Sequence, residues 1–213
     1  MKIPAKTTLL FIGDSITDCG RGRPVGHGNS ETLGNGYVSF IDALLTARYP
    51  ERMIGILSTG ISGNTVRDLK ARWKPDVLDL KPDWLSIMIG INDVWRQFDS
   101  PADTAVHVLP GEYENTLREL MATTPVRRLV LMTPYFIEID RNDAMRRKMD
   151  LYGTIVRKLA RESGAILVDT QLAFDEVMTK WSDRQLAGDR VHPGTAGHMI
   201  LARAFLEAVG VDL

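Results

Sequence analysis

The chain has 213 residues, 44% hydrophobic and 25% charged, with a formal net charge of −1 at pH 7. That is the make-up of an ordinary globular protein with chain enough for a well-buried core, and it lacks the clustered basic surface of a nucleic-acid binder. Cys19 is the single cysteine, so no intrachain disulfide can form, and no apolar run approaches the ~20 residues of a membrane span; a cytoplasmic protein without a membrane anchor is expected.

Leu9-Leu10-Phe11-Ile12 is too short for the apolar segment of a signal peptide and reads as the core of a first strand, Thr8 to Ile12. It runs into Gly13-Asp14-Ser15, and a Gly-rich loop from Gly20 to Gly36 follows. Tyr37, Ile41, Leu44 and Leu45 then have helical spacing. A second strand, Met53 to Leu57, precedes Gly60-Ile61-Ser62-Gly63-Asn64, and a third, Trp84 to Ile89, meets Gly90-Ile91-Asn92-Asp93. Tyr113, Leu117, Leu120 and Met121 mark another helix before a fourth strand, Leu129 to Met132. The longest apolar stripe, Met145, Met149, Tyr152, Val156 and Leu159, ends near Gly164, a helix stop. A fifth strand, Ala165 to Val168, and a last helix from Thr195 to about Val209 complete the chain.

Most of these strands are continuously apolar, as strands covered on both faces are. Alternating strands and helices predict an α/β fold: a three-layer α/β/α sandwich around a five-stranded parallel sheet, with right-handed crossovers. No linker or repeat divides it, so residues 1–213 are expected to form one domain.

Ligands gather at the C-terminal edge of such a sheet, and four polar motifs are expected there. Ser15, where a strand turns into a helix, suits a nucleophile; it equally suits a helix N-cap or a turn. Gly63 lets a backbone N–H approach a ligand and is equally a flexible turn. Asn92 offers a neutral side-chain donor, although Asn-Asp is also turn chemistry. Asp189 and His192 stand three residues apart in Asp189-Arg190-Val191-His192-Pro193, where the acid can orient the imidazole; loop decoration is the plainer reading. His27, His107 and His198 are read as structural or solvated. Cys19 is read as a small buried residue, because no histidine lies near it in sequence.

Taken in order, Phe11-Ile-Gly-Asp-Ser-Ile-Thr-Asp18, Gly60-Ile-Ser-Gly-Asn-Thr65, Gly90-Ile-Asn-Asp93 and Asp189-Arg-Val-His-Pro193 resemble the blocks of the SGNH, or GDSL, hydrolase superfamily. The resemblance implies a flavodoxin-like fold and a cofactor-free, metal-free serine esterase. Ser15 would be nucleophile, His192 general base and acid, and Asp189 its partner. Ser15 N–H, Gly63 N–H and the Asn92 side chain would form the oxyanion hole. A narrower likeness, carried by Asp18-Cys-Gly-Arg21, Thr65-Val-Arg-Asp-Leu-Lys-Ala-Arg-Trp73, Asn92-Asp-Val-Trp-Arg-Gln97 and Gly197-His-Met-Ile-Leu-Ala-Arg-Ala-Phe205, is to bacterial acetyl-xylooligosaccharide esterases. That implies a small acetylated oligosaccharide as substrate. Trp95, Arg96, Tyr135 and Phe136 are the residues expected to line its pocket, with core packing or a subunit interface as the alternative.

Three rivals are weaker. A metal-dependent phosphohydrolase or receiver would gather Asp14, Asp93 and Asp189 around Mg²⁺, but Asp14 is not followed by the Asp-x-Asp pattern, and no lysine follows the fifth strand. A dinucleotide-binding domain lacks its Gly-x-Gly-x-x-Gly. A non-catalytic interaction domain leaves the four motifs unexplained. Lipases, thioesterases and arylesterases with the same machinery differ only in substrate. A homo-oligomer is compatible with the sequence, but no self-complementary patch can be read from it.

Overall fold

A computed structural model of the chain describes residues 1–28 and 31–211. Asn29 and Ser30, within the expected Gly20–Gly36 loop, and Asp212 and Leu213 lie outside the described residues. The elements run β1 (Thr8–Gly13), α1 (Ser15–Asp18), β2 (Gly26–His27), α2 (Tyr37–Arg48), β3 (Gly55–Ser58), α3 (Val66–Trp73), β4 (Trp84–Met88), α4 (Ile91–Asp99), α5 (Pro110–Ala122), β5 (Arg128–Met132), α6 (Ala144–Ser163), β6 (Ile166–Val168), α7 (Thr170–Met178), α8 (Asp183–Leu186) and α9 (Thr195–Ala208).

The sheet order is β2-β3-β1-β4-β5-β6, so the five expected strands are joined by a sixth. β2 is two residues long and pairs antiparallel with Leu57 and Ser58 at the edge, too short to leave an apolar pattern in the sequence. The other pairings are parallel. Met53 does not belong to β3. It has a left-handed backbone (φ 48°) and is exposed, which a strand interior excludes, and pairing starts at Gly55.

α2, α7 and α9 pack together on one face, and α3, α5 and α6 on the other. β1 lies between them with Leu9, Leu10, Phe11 and Ile12 all fully buried, which is why its apolar run is unbroken. The Phe11 ring meets Tyr37 of α2 at 5.7 Å and Phe205 of α9 at 5.0 Å between centroids. Truncating it to alanine would cost about 3–5 kcal/mol in lost burial and residual cavity. α6 buries its predicted stripe from Met145 to Leu159; the Asp143 carboxylate caps it by accepting the Arg146 N–H at 2.9 Å, and Gly164 (φ 67°) ends it.

At the C-terminal edge β1 closes on Gly13. A Cβ there would stand 2.3 Å from the Met88 carbonyl oxygen and 2.4 Å from Thr17 Oγ1, so only glycine lets β1, β4 and α1 meet this closely. The chain turns directly into the helix that carries Ser15.

Candidate active site

Asp14, not Ser15, caps α1: its carboxylate accepts the Ile16 N–H at 3.0 Å. This removes the N-cap reading of Ser15. Ser15 becomes the first helical residue, with a backbone N–H that has no acceptor within the helix. Burial pushes the Asp14 carboxyl up to about 7, against the Ile16 N–H that favours its charged form. α1 lasts one turn and closes on Cys19, whose φ is 39°.

Ser15 Oγ lies 2.9 Å from His192 Nε2, and His192 Nδ1 lies 2.7 Å from Asp189 Oδ2. The sequence pair thus meets the serine across 177 residues of chain. The three-residue spacing works because Asp189 makes a turn of its own. Its Oδ1 accepts the N–H groups of Val191 at 3.0 Å and His192 at 2.8 Å, while Oδ2 is left for the ring. Arg190 between them takes a left-handed backbone (φ 63°). Its guanidinium pairs with Glu138 and lies 4.9 Å from the Phe136 ring centroid, anchoring the turn. Burial alone would raise the Asp189 carboxyl; the His192 ring and the two backbone N–H groups outweigh it and hold it below the usual carboxylate range.

Asn92 lies in the first turn of α4 rather than in a loop, nearly buried, and its Nδ2 donates to the Asn64 carbonyl at 2.9 Å. A primary amide has a second N–H, which this bond leaves over. Gly63 takes a left-handed backbone (φ 82°) in the turn after β3. Ser62 before it is held by Asp18, whose Oδ2 accepts the Ser62 N–H at 3.0 Å, the Ser62 hydroxyl at 2.9 Å and an Arg23 N–H at 2.8 Å. Burial would raise the Asp18 carboxyl, but these donors pull it below its ordinary value.

Ser15, Gly63, Asn92 and His192 share an open cleft of about 560 Å³ with Ile16, Cys19, Ser62, Trp95, Arg96, Pro193 and His198. Trp95 and Arg96 line this cleft: the Trp95 ring is 5.9 Å from the His192 ring, and the Arg96 guanidinium is 5.9 Å from the Trp95 centroid and paired with Asp99. Tyr135 is a correction. It is buried against Phe174 with centroids 4.5 Å apart, its hydroxyl 3.4 Å from the Val191 carbonyl oxygen, and it is not a wall of the cleft. Phe136 is buried beneath Arg190; following β5 put both rings near the edge, but both turn inward to support the Asp189–His192 turn from below.

Sequence reasoning missed the neighbour of Cys19. His198 of α9, nearly buried, brings Nε2 to 3.5 Å from Cys19 Sγ and accepts the Tyr37 N–H on Nδ1 at 3.2 Å. Burial lowers its pKa to about 4. The available signal was the Gly197-His198 pair, less than two helical turns after His192. Ile16 and Pro193 are also cleft residues, and no chemical pattern marks them. Asp14, Asp93 and Asp189 have separate partners: Ile16 N–H, Val66 N–H and His192 respectively. Among the described residues no three His, Cys, Asp or Glu side chains are grouped to hold a metal ion.

Residues 11–200 match the model of the GDSL-like Lipase/Acylhydrolase family. An acetylxylan esterase from Geobacillus stearothermophilus is 56% identical over 214 residues, covering 100% of this chain and 98% of its own. A crystal structure of that esterase superposes with a TM-score of 0.98 at 57% identity, over 100% of this chain and 98% of its own. Catalytic mutants of the same enzyme, with a serine, an aspartate or a histidine changed to alanine, superpose equally well. An alpha/beta hydrolase enzyme from the metagenome of Lake Arreo, Spain, is 52% identical with a TM-score of 0.96, over 99% of this chain and 98% of its own.

Proposed function

This chain belongs to the GDSL-like lipase/acylhydrolase family, and from that premise we propose that it is a serine esterase removing acetyl groups from xylooligosaccharide esters. The observation that carries the reading is the hydrogen-bonded line Ser15–His192–Asp189 opening on a cleft that also holds Gly63 and Asn92. Similarity along the whole chain to an acetylxylan esterase supports the acetyl-sugar substrate.

In this reading His192 Nε2 takes the Ser15 proton as Oγ attacks the acetyl carbonyl. Asp189 fixes the tautomer with Nδ1 protonated and stabilises the imidazolium that forms. The carbonyl oxygen becomes an anion facing the Ser15 N–H, the Gly63 N–H and the second Asn92 amide hydrogen. His192 then gives its proton to the departing sugar oxygen. A water activated by the same ring releases acetate from Ser15. Trp95 offers a ring face to the sugar, and Arg96 a charged donor beside it. A cytoplasmic setting belongs to the same proposal, supported by the lone free cysteine.

Mass-spectrometric deacetylation of acetylated xylooligosaccharides tests the substrate. Loss of one acetyl mass per event is expected; activity on octanoyl esters surpassing that on acetyl esters would move the reading to a lipase-like substrate. A fluorophosphonate should add one label, and labelling that survives Ser15→Ala would place the nucleophile elsewhere.

A further inference from the structure

The three proposed oxyanion donors come from three strand ends: Ser15 after β1, Gly63 after β3 and Asn92 after β4. A hole for a transition state requires them to be fixed relative to one another before reaction, since reorganisation during it would cost rate. The backbone hydrogen bonds between β1 and β3 run on to the Ile61 N–H, which donates to the Gly13 carbonyl at 3.1 Å, but they do not link Asn92 to the turn after β3. A side chain of α3 does.

Arg72 is largely buried and spends its guanidinium on these ends. Nη2 donates to the Gly13 carbonyl at 3.0 Å, two residues before Ser15. Nη1 donates to the Thr59 carbonyl at 2.6 Å, at the end of β3, and to Asp76 at 2.5 Å. Nε donates to Asn64 Oδ1 at 2.6 Å, and Asn64 is the residue after Gly63. The Asn64 carbonyl oxygen in turn accepts Asn92 Nδ2 at 2.9 Å. One planar cation therefore ties the β1 end to the β3 end and reaches the β4 donor through Asn64. The planar fork suits this because its donors diverge at fixed angles, which a lysine ammonium on a flexible stem cannot reproduce.

We infer that Arg72 is a positioning residue that holds the three oxyanion donors in register, acting through Gly13 and Asn64 without touching substrate. The Asp18–Ser62 contacts secure the other side of the Gly63 turn, so Arg72 and Asn64 govern the side that faces Asn92. This inference rests on the esterase reading. Arg72 lies in the Thr65–Trp73 segment, whose likeness the nucleophile and its partners do not account for.

The test uses Arg72→Lys and Asn64→Ala. The second variant cuts only the Nε link and leaves the guanidinium bound to Gly13, Thr59 and Asp76, so it serves if the first fails to fold. With one hydrogen bond to a charged group lost, kcat on an acetyl ester should fall roughly tenfold or more with KM little changed. The decisive arm adds Asn64→Ala to Asn92→Ala, because Asn64 is the link from Arg72 to that donor. With the donor already removed, kcat should fall by only about twofold further, because residues acting as one unit are not additive. The same loss in both backgrounds, a rise in KM at unchanged kcat, or wild-type kcat in both folded variants would each overturn the inference. A wild-type protein that takes no fluorophosphonate label overturns the esterase reading and this inference with it. Labelled, active wild type beside unaffected variants overturns this inference alone.

Discussion

His198 Nε2 stands 3.5 Å from Cys19 Sγ, in the cleft that holds Ser15, yet the histidine is oriented to give a proton and not to take one. Its Nδ1 accepts the Tyr37 N–H at 3.2 Å, so the neutral ring carries its proton on Nε2, toward the sulfur. Burial pushes the Cys19 thiol above its ordinary pKa, opposite to the shift a nucleophilic cysteine needs. Two pairs of a hydroxyl or thiol with an imidazole thus share one cleft, and only Ser15–His192 has a carboxylate, that of Asp189, on the far ring nitrogen.

Cys19→Ala should therefore keep most of the wild-type kcat/KM, whereas Ser15→Ala should abolish it. At neutral pH iodoacetamide should alkylate Cys19 slowly, over a period in which a fluorophosphonate titrates Ser15 completely. A Cys19→Ala protein as inactive as Ser15→Ala would show the thiol to be essential.

For the oxyanion hole, Asn92→Ala should lose about 2.7–4 kcal/mol of transition-state stabilisation, seen in kcat more than in KM. Steady-state kinetics on an acetyl ester, beside a melting curve showing a folded protein, checks it. Near-normal turnover would remove Asn92 from the hole.

Asp189→Asn keeps an oxygen to cap the turn but can present an amide N–H to His192 Nδ1 in place of an acceptor. The ring then favours the tautomer with the proton on Nε2, facing Ser15, and kcat should drop by roughly 10³–10⁴-fold at little cost in melting temperature. Neutron diffraction or NMR of the ring protons reads the tautomer directly. A fully active variant would leave Asp189 with the turn alone.

Asp93 gives a pH-dependent prediction. It is fully buried, accepts the Val66 N–H at 3.0 Å through Oδ1 and leaves Oδ2 without a partner. Burial pushes its carboxyl up from 3.8 to about 7. Between those values the native protein holds a proton that the unfolded chain has released, so this group's contribution to stability declines as pH rises. An asparagine keeps the acceptor and has no proton to lose. Asp93→Asn should gain stability relative to wild type on going from about pH 5 to about pH 8, measured by denaturant unfolding. A difference between the two proteins that is the same at both pH values would contradict it.

The apolar runs made β1, β4 and β5 readable because strands buried on both faces carry a nearly continuous hydrophobic signal, interrupted in β4 by the buried Ser86. β2 left no such trace: two residues at an edge bury too little to constrain the sequence. α4 was hidden because its first turn, Ile91-Asn92-Asp93, looks like turn chemistry until Gly90, with φ 133°, is seen to bend the chain into a helix. The polar groups at the cleft were legible because each belongs to a short motif. Its supporting parts were not: Arg72 and His198 act over distances in sequence that no local pattern records, and Tyr135 follows a strand end in sequence while its ring turns into the core beneath the Asp189–His192 turn.

The shared turn of Asp189 and His192 has a mechanical consequence. Asp189 and His192 cannot drift apart without breaking the four-residue turn that both help to build, so their 2.7 Å spacing is a local property of the chain. The 2.9 Å between Ser15 and His192 is a property of the whole fold, because it joins the first strand's end to the loop before the last helix. The Ser15–His192–Asp189 line thus has one adjustable joint. Any strain that slides α9 against β1 is felt there first, as a longer Ser15–His192 distance beside an unchanged His192–Asp189 one.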